Sequence, residues 1–205
     1  MKNILVVSGH TDLKNSIANK TILDKLQSDL PKAEFVFLDQ LYPTFEINKE
    51  VEQQRLINAD IIVLQFPFFW YSVPSIMSRW MEETFVHGFS HGSTGDKLKG
   101  KKLIVSFTSG APEEMYQKGG LQNYSIEEFL PPLKQFANLC QMQWCGYVYT
   151  GGVSYINRND NEKLMQMKEK ALNHERRLLD VIDKAINSEE IGRAHVWTPV
   201  TNHHL

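Results

Sequence analysis

The stretch that most constrains this chain is Gln65-Phe66-Pro67-Phe68-Phe69-Trp70-Tyr71-Ser72-Val73-Pro74, which directly follows the apolar run Ile61-Ile62-Val63-Leu64. A buried strand running into these prolines and aromatics is expected neither to continue as a strand nor to start a helix before Pro74. It must give way to a rigid loop at the strand's carboxyl end, the edge at which open α/β sheets bind ligands. Aromatic faces with free backbone amides between the prolines suit a flat heteroaromatic ring with acceptors along its edge. An ordinary aromatic plug beneath a loop is the alternative.

The rest of the chain supplies the sheet that such a loop needs. Residues 4–7, 35–38, 61–65, 103–107 and 144–149 read as short strands, the first and third all but wholly apolar, as burial on both faces requires. Ile22, Leu23, Leu26 and Leu30 form a helical stripe that Pro31 closes, and a short helix is expected over 51–58. Pro74 opens a helix with Ile76, Met77, Trp80, Met81 and Phe85 on one side. A helix near 125–139 and a long amphipathic one over about 161–186 complete the alternation. Alternating strands and helices indicate an α/β fold with right-handed crossovers. The expected architecture is a flavodoxin-like three-layer sandwich around a five-stranded parallel sheet of order 2-1-3-4-5.

At 205 residues the chain fits one domain, 1–188, followed by a tail, 189–205. From Glu190 to Thr201 the tail lacks periodicity and resembles the conceptual translation of a sequencing-library adapter, with a stop codon read as Trp197. It reads as non-native or disordered, so Trp197, His195, His203 and His204 stay outside functional reasoning. A net charge of -2 without a Lys/Arg cluster gives no footprint for nucleic acid. No apolar run approaches the ~20 residues of a membrane span and no signal-peptide pattern opens the chain, so a cytoplasmic protein is expected. Cys140 and Cys145 read as reduced structural thiols.

Loops after the first, third and fourth strands converge on one edge in this topology. The first, from Ser8 to Asn19, crowds Asn15, Ser16 and Asn19 at a helix N-terminus, where free amides and the dipole favour a phosphate. Asn15 or Ser16 could equally be a plain N-cap, with His10 a loop residue. The loop Thr108-Ser109-Gly110-Ala111-Pro112 offers small residues that let backbone approach a ligand. A phosphate site, a flat-ring site and a close backbone contact together match a mononucleotide, and a flavin fits the set.

From Met1 to about Tyr155 the sequence resembles the flavodoxin-like NAD(P)H:quinone oxidoreductases, and within them the flavin-binding ancillary proteins of glutathione-gated potassium-efflux systems. The resemblance is carried by Gly9-His10 with Ser16-Ile17-Ala18-Asn19, by residues Leu41 to Asn48, by the 65–74 stretch with Trp80, and by Phe85-Val86-His87-Gly88. It implies FMN, with FAD the alternative, a cytosolic homodimer, and two-electron reduction of quinones by NAD(P)H in a ping-pong sequence. Carried over, His10 and Ser16, Ile17, Ala18 and Asn19 would hold the flavin phosphate. Phe68, Phe69, Trp70 and Tyr71 would line the isoalloxazine, largely through main chain. Thr108, Ser109, Gly110 and Ala111 would contact its polar edge, and Tyr116 would be the catalytic donor toward the ring. Relatives often carry a histidine where this chain has Leu121 and Gln122, which puts a histidine-dependent proton relay in doubt.

Other residues read as structural. Trp80 is expected to pack, at a dimer interface or in the core, and His87 with His91 lacks a third ligand, so no metal site is expected. Lys97, Lys99, Lys101 and Lys102 read as a solvated edge, and His10 and His174 have no evident partners for hydrolytic chemistry. Two functions therefore stand after this reading: an FMN-dependent NAD(P)H oxidoreductase, or a flavin-holding regulatory subunit docked on a membrane potassium-efflux transporter. A one-electron flavodoxin carrier is disfavoured by the near-neutral charge.

Overall fold

The computed structural model describes residues 2–188; the expected foreign tail lies outside the described residues. Strands β1 (Ile4–Ser8), β2 (Glu34–Phe37), β3 (Ile61–Pro67), β4 (Lys102–Thr108) and β5 (Gln143–Thr150) pair in parallel in the order β2-β1-β3-β4-β5. Helices α1 (Ala18–Asp29), α2 (Leu38–Leu41), α3 (Lys49–Asn58), α4 (Ser75–Thr84), α5 (Pro131–Leu139) and α6 (Asn161–Asn187) surround the sheet. This is the flavodoxin-like order expected from the short first unit and the ligand-like loops after strands one, three and four. Among the described residues no helix is long and apolar enough to cross a membrane.

The period of two along each strand divides the core. Leu5 and Val7, Ile62, Leu64 and Phe66, and Leu103, Val105 and Phe107 face one layer, where Trp80 of α4 and Ala137 of α5 join them. Val6, Ile61, Val63 and Ile104 face the other, against Leu23 and Leu26 of α1 and Leu178 and Ile182 of α6. Trp80 lies wholly inside the first layer, and its indole N–H donates to the buried Glu52 carboxylate at 2.8 Å. Tyr42 donates to the same carboxylate at 2.6 Å, and Arg55 pairs with it. One buried anion thus joins α2, α3 and α4, with the partners that a carboxylate out of water requires.

The elements depart from the sequence reading at identifiable places. β3 runs on through Phe66 and Pro67, which register with Phe107 and Thr108 of β4. Pairing with β1 stops at Gln65, whose carbonyl still accepts from Gly9 N–H at 2.9 Å, because Pro67 has no N–H to carry that ladder further; on this side the strand becomes an edge. The helix expected near 125–139 divides into a 3-10 turn, Ile126–Phe129, and α5, because Pro131 and Pro132 have no N–H to continue a ladder. The short helix α2 was not expected.

The lysine group is not a solvated edge throughout. Lys101 is half-buried, and its ammonium donates to the carbonyls of Ile57 and Ala59 at the end of α3, at 2.7 and 2.6 Å. Lys102 is buried and donates to Ala185 and Ser188 carbonyls at the end of α6, at 2.6 and 2.8 Å. In an α/β fold the helices end where the strands begin, so cations at the start of β4 meet orphan carbonyls and the negative ends of helix dipoles.

Candidate functional site

The opposite edge, where the strands end, holds a cavity of about 430 Å³. Its walls come from the loops after β1, β3 and β4, as the topology predicts. His10, Ser16, Ile17, Ala18, Asn19, Phe68, Phe69, Thr108, Ser109 and Gly110 all line it. Trp70, Tyr71, Ala111 and Tyr116 do not.

At the α1 end, Ser16 N–H is spent on the Leu13 carbonyl and Asn19 N–H on Ser16 Oγ at 3.2 Å. The amides of Ile17 and Ala18 have no acceptor among the described residues, and both residues line the cavity. Unbonded amides at the positive end of a twelve-residue helix form an anion cradle. His10 closes this end. Its Nδ1 accepts from Asp12 N–H at 3.0 Å, and its ring meets Phe69 edge-on with centroids 6.0 Å apart. Burial pushes its pKa down, against the pull of Asp39 and Asp12, so the ring is held neutral with Nε2–H left to donate. Gly9 serves packing: a methyl there would lie 2.7 Å from Met77 Cβ.

The loop after β3 turns back at once. Ser72 N–H donates to the Phe69 carbonyl at 3.1 Å, and the intervening Trp70 and Tyr71 both have positive φ, 50° and 64°. Two successive left-handed residues are the mark of a type I′ turn, unusual without Gly or Asn. The turn leaves Trp70 93% exposed at the cavity's rim. Tyr71 leans the other way, stacked on Phe129 with its hydroxyl donating to Gln122 Oε1 at 3.0 Å.

The loop after β4 supplies Thr108, Ser109 and Gly110, and the Gly110 amide makes no hydrogen bond among the described residues. Ser109 Oγ bonds the Tyr149 phenol and donates to the Ala111 carbonyl, both at 2.7 Å, which turns Ala111 away from the cavity. Tyr116 packs against Phe68, Phe129 and Tyr149, one side chain removed from the cavity. Burial raises its pKa, so it stays a protonated donor. The remaining wall, Val153, Ser154, Tyr155 and Met167, comes from the segment after β5 and the start of α6. Sequence reasoning missed these residues; Gly151-Gly152 just before them was the available signal. A methyl on Gly151 would fall 2.7 Å from the Tyr149 phenol oxygen and 2.8 Å from the Ala111 carbonyl oxygen.

Comparison with known proteins gives concordant results. A sequence model described as flavodoxin-like fold matches residues 2–174. The chain is 34% identical over 160 residues to the uncharacterized NAD(P)H oxidoreductase YrkL of Bacillus subtilis, covering 78% of this chain and 91% of that protein. It is 35% identical over 141 residues to the glutathione-regulated potassium-efflux system ancillary protein KefF of an Enterobacter species, covering 69% and 78%. Among solved structures, general stress protein 14 of Treponema denticola in complex with FMN superposes with a TM-score of 0.77 at 23% identity, over 87% of this chain and 99% of that one.

Proposed function

The chain belongs to the flavodoxin-like fold family, and from that premise we propose that it is a cytoplasmic, FMN-dependent NAD(P)H oxidoreductase that delivers two electrons to quinones or similar acceptors. The observation that carries the reading is the cavity itself, with the unbonded Ile17 and Ala18 amides at one end and the unbonded Gly110 amide on another wall. These donors suit a phosphate and the polar edge of a ring, and Phe69, Val153 and Met167 supply apolar wall between them. The residues therefore fit FMN. A relative solved with FMN and relatives named NAD(P)H oxidoreductases support the same reading.

When bound, the flavin supplies reversible two-electron acceptance as hydride. What the chain contributes is binding, orientation and fixed charge. The Ile17 and Ala18 amides and neutral His10 hold the phosphate end without a formal cation. The Gly110 amide would place a donor where negative charge gathers in the reaction, and Tyr116 would add a second through a shift of Phe68, against which it packs. Trp70 at the rim gives an aromatic surface over which nicotinamide and quinone bind in turn, and one shared position predicts ping-pong kinetics. Exposed Leu41, Phe45 and Val51 offer an apolar face for the proposed homodimer, which sedimentation of the purified protein would test.

The test is a visible spectrum of FMN-reconstituted protein under anaerobic conditions, before and after NADPH or NADH, then after a quinone. Bleaching followed by quinone-driven recovery is expected. Bound flavin that neither nucleotide reduces would instead favour the regulatory-subunit reading, which the similarity to KefF supports. Absence of bound flavin would overturn both.

A further inference from the structure

A line of buried polar side chains crosses the α1/α6 side of the sheet and ends at the cavity wall. Asn19 Nδ2 donates to Thr108 Oγ1 at 3.0 Å, and Gln65 Nε2 donates to Asn19 Oδ1 at 2.8 Å. Ser106 Oγ donates to Gln65 Oε1 at 2.5 Å and lies 2.7 Å from His174 Nε2. His174 Nδ1 lies 2.9 Å from Thr150 Oγ1, which accepts from Arg177 Nη2 at 2.6 Å. Every member except Arg177 is buried, and His174 and Ser106 are wholly inaccessible. The sequence reading left His174 without partners; the fold gives it two. The Ser106–His174 pair is no nucleophilic dyad, because nothing can reach the serine.

The chemistry of the members sets the direction of the line. Arg177 can only donate, so Thr150 Oγ1 accepts from it and spends its own proton on His174 Nδ1. His174 is then protonated on Nε2 and donates to Ser106, whose proton is already committed to Gln65. Gln65 donates to Asn19 and Asn19 to Thr108. The reverse order would leave the Thr150 hydroxyl proton buried without an acceptor. In the satisfied order each donor points toward the cavity, and the last proton, on Thr108, makes no other hydrogen bond among the described residues. Hydrogen bonds aligned in one sense polarise one another, here with a cation at the far end.

We propose that this line fixes the Thr108 hydroxyl as a hydrogen-bond donor into the cavity, and that His174 and Arg177 are positioning residues of the site although neither lines it. The ligand group opposite Thr108 is accordingly an acceptor, an oxygen or an unprotonated ring nitrogen. The identity of that ligand rests on the FMN reading; the direction of the line does not. Burial pushes the His174 pKa down to about 3, in keeping with a neutral ring that uses both nitrogens.

Two measurements test the proposal. Nitrogen-15 NMR of the flavin-free protein at pH 7 should show His174 neutral and protonated on Nε2. An Nδ1–H tautomer or an imidazolium would overturn it. Fluorescence titration with FMN should show Thr108→Val weakening binding roughly 3- to 10-fold. Arg177→Met, which also removes a donor from the Tyr149 carbonyl at 2.8 Å, should weaken it roughly 2- to 3-fold in the otherwise unaltered protein and not at all in the Thr108→Val background. Equal effects of Arg177→Met in both backgrounds would also overturn the proposal. If the unaltered protein took up no FMN, the functional reading would fall, and the tautomer would still decide the direction of the line.

Discussion

Tyr116→Phe removes one oxygen and leaves the ring packed against Phe68, Phe129 and Tyr149. If the phenol donates to developing charge, anaerobic stopped-flow should show reduction by NADPH slowed about tenfold or more, the worth of a hydrogen bond to a charged group, with FMN affinity unchanged. An unaltered rate would assign Tyr116 to packing alone. Ser16→Glu tests the other end. A carboxylate beside the unbonded Ile17 and Ala18 amides would take their place as the anion and repel a phosphate. FMN binding should fall at least tenfold while circular dichroism and thermal midpoint hold, and full FMN occupancy would remove the phosphate assignment. At this scale the sequence was legible where a residue type has one dominant use. The constraint on Gly9 was not legible, since it is contact with Met77, about 68 residues away and invisible to local pattern.

The helix ends tell a similar story about elements. Lys102→Met keeps the apolar stem and removes the ammonium that binds the Ala185 and Ser188 carbonyls, leaving Ser188 Oγ, at 3.2 Å, as the remaining side-chain donor to the Ala185 carbonyl. A loss of about 1–3 kcal/mol in urea unfolding is expected, with FMN binding intact because the cap and the cavity occupy opposite edges of the sheet. Truncation after Ser188 should leave both folding and FMN binding unchanged, since the bonds that cap α6 among the described residues lie within the retained chain; failure to fold would show that the tail belongs to the domain. Strands and long helices were legible because their periodicities are local. The extent of β3 was not, because Pro67 is tolerated only where β4 goes on pairing with the side that needs no N–H from it, and the roles of Lys101 and Lys102 depend on which helices end beside them.

For the molecule as a whole, His174 couples the polar line to stability. Its folded pKa of about 3 lies below the ordinary 6.5, so the unfolded chain binds a proton that the native protein excludes. Its stabilisation is therefore complete above pH 6.5 and lost as pH falls toward 3, at up to roughly 1.4 kcal/mol per pH unit. Glu175 acts in the opposite sense. Burial and Asp29 raise its pKa, so it favours the folded state below the ordinary carboxylate range and less as pH rises through its raised value. Urea unfolding between pH 7 and 5.5 should thus lose stability, and His174→Gln should flatten that slope; an unchanged slope would place the titration elsewhere. The parallel sheet was legible from alternation and its order from the loops after the first, third and fourth strands, whereas the polar line was not, since Asn19, Gln65, Ser106, Thr150 and His174 come from distant parts of the chain and meet only in the folded sheet. The lysine caps carry one more consequence, for how such a chain can change over generations. Because they secure the helices at the edge remote from the cavity, substitutions there can restore robustness after a disruptive change at the rim without touching ligand contacts. A lineage, or an engineer, could therefore explore new acceptors by varying the turn at Trp70 and Tyr71 while recovering lost durability at the far side of the sheet.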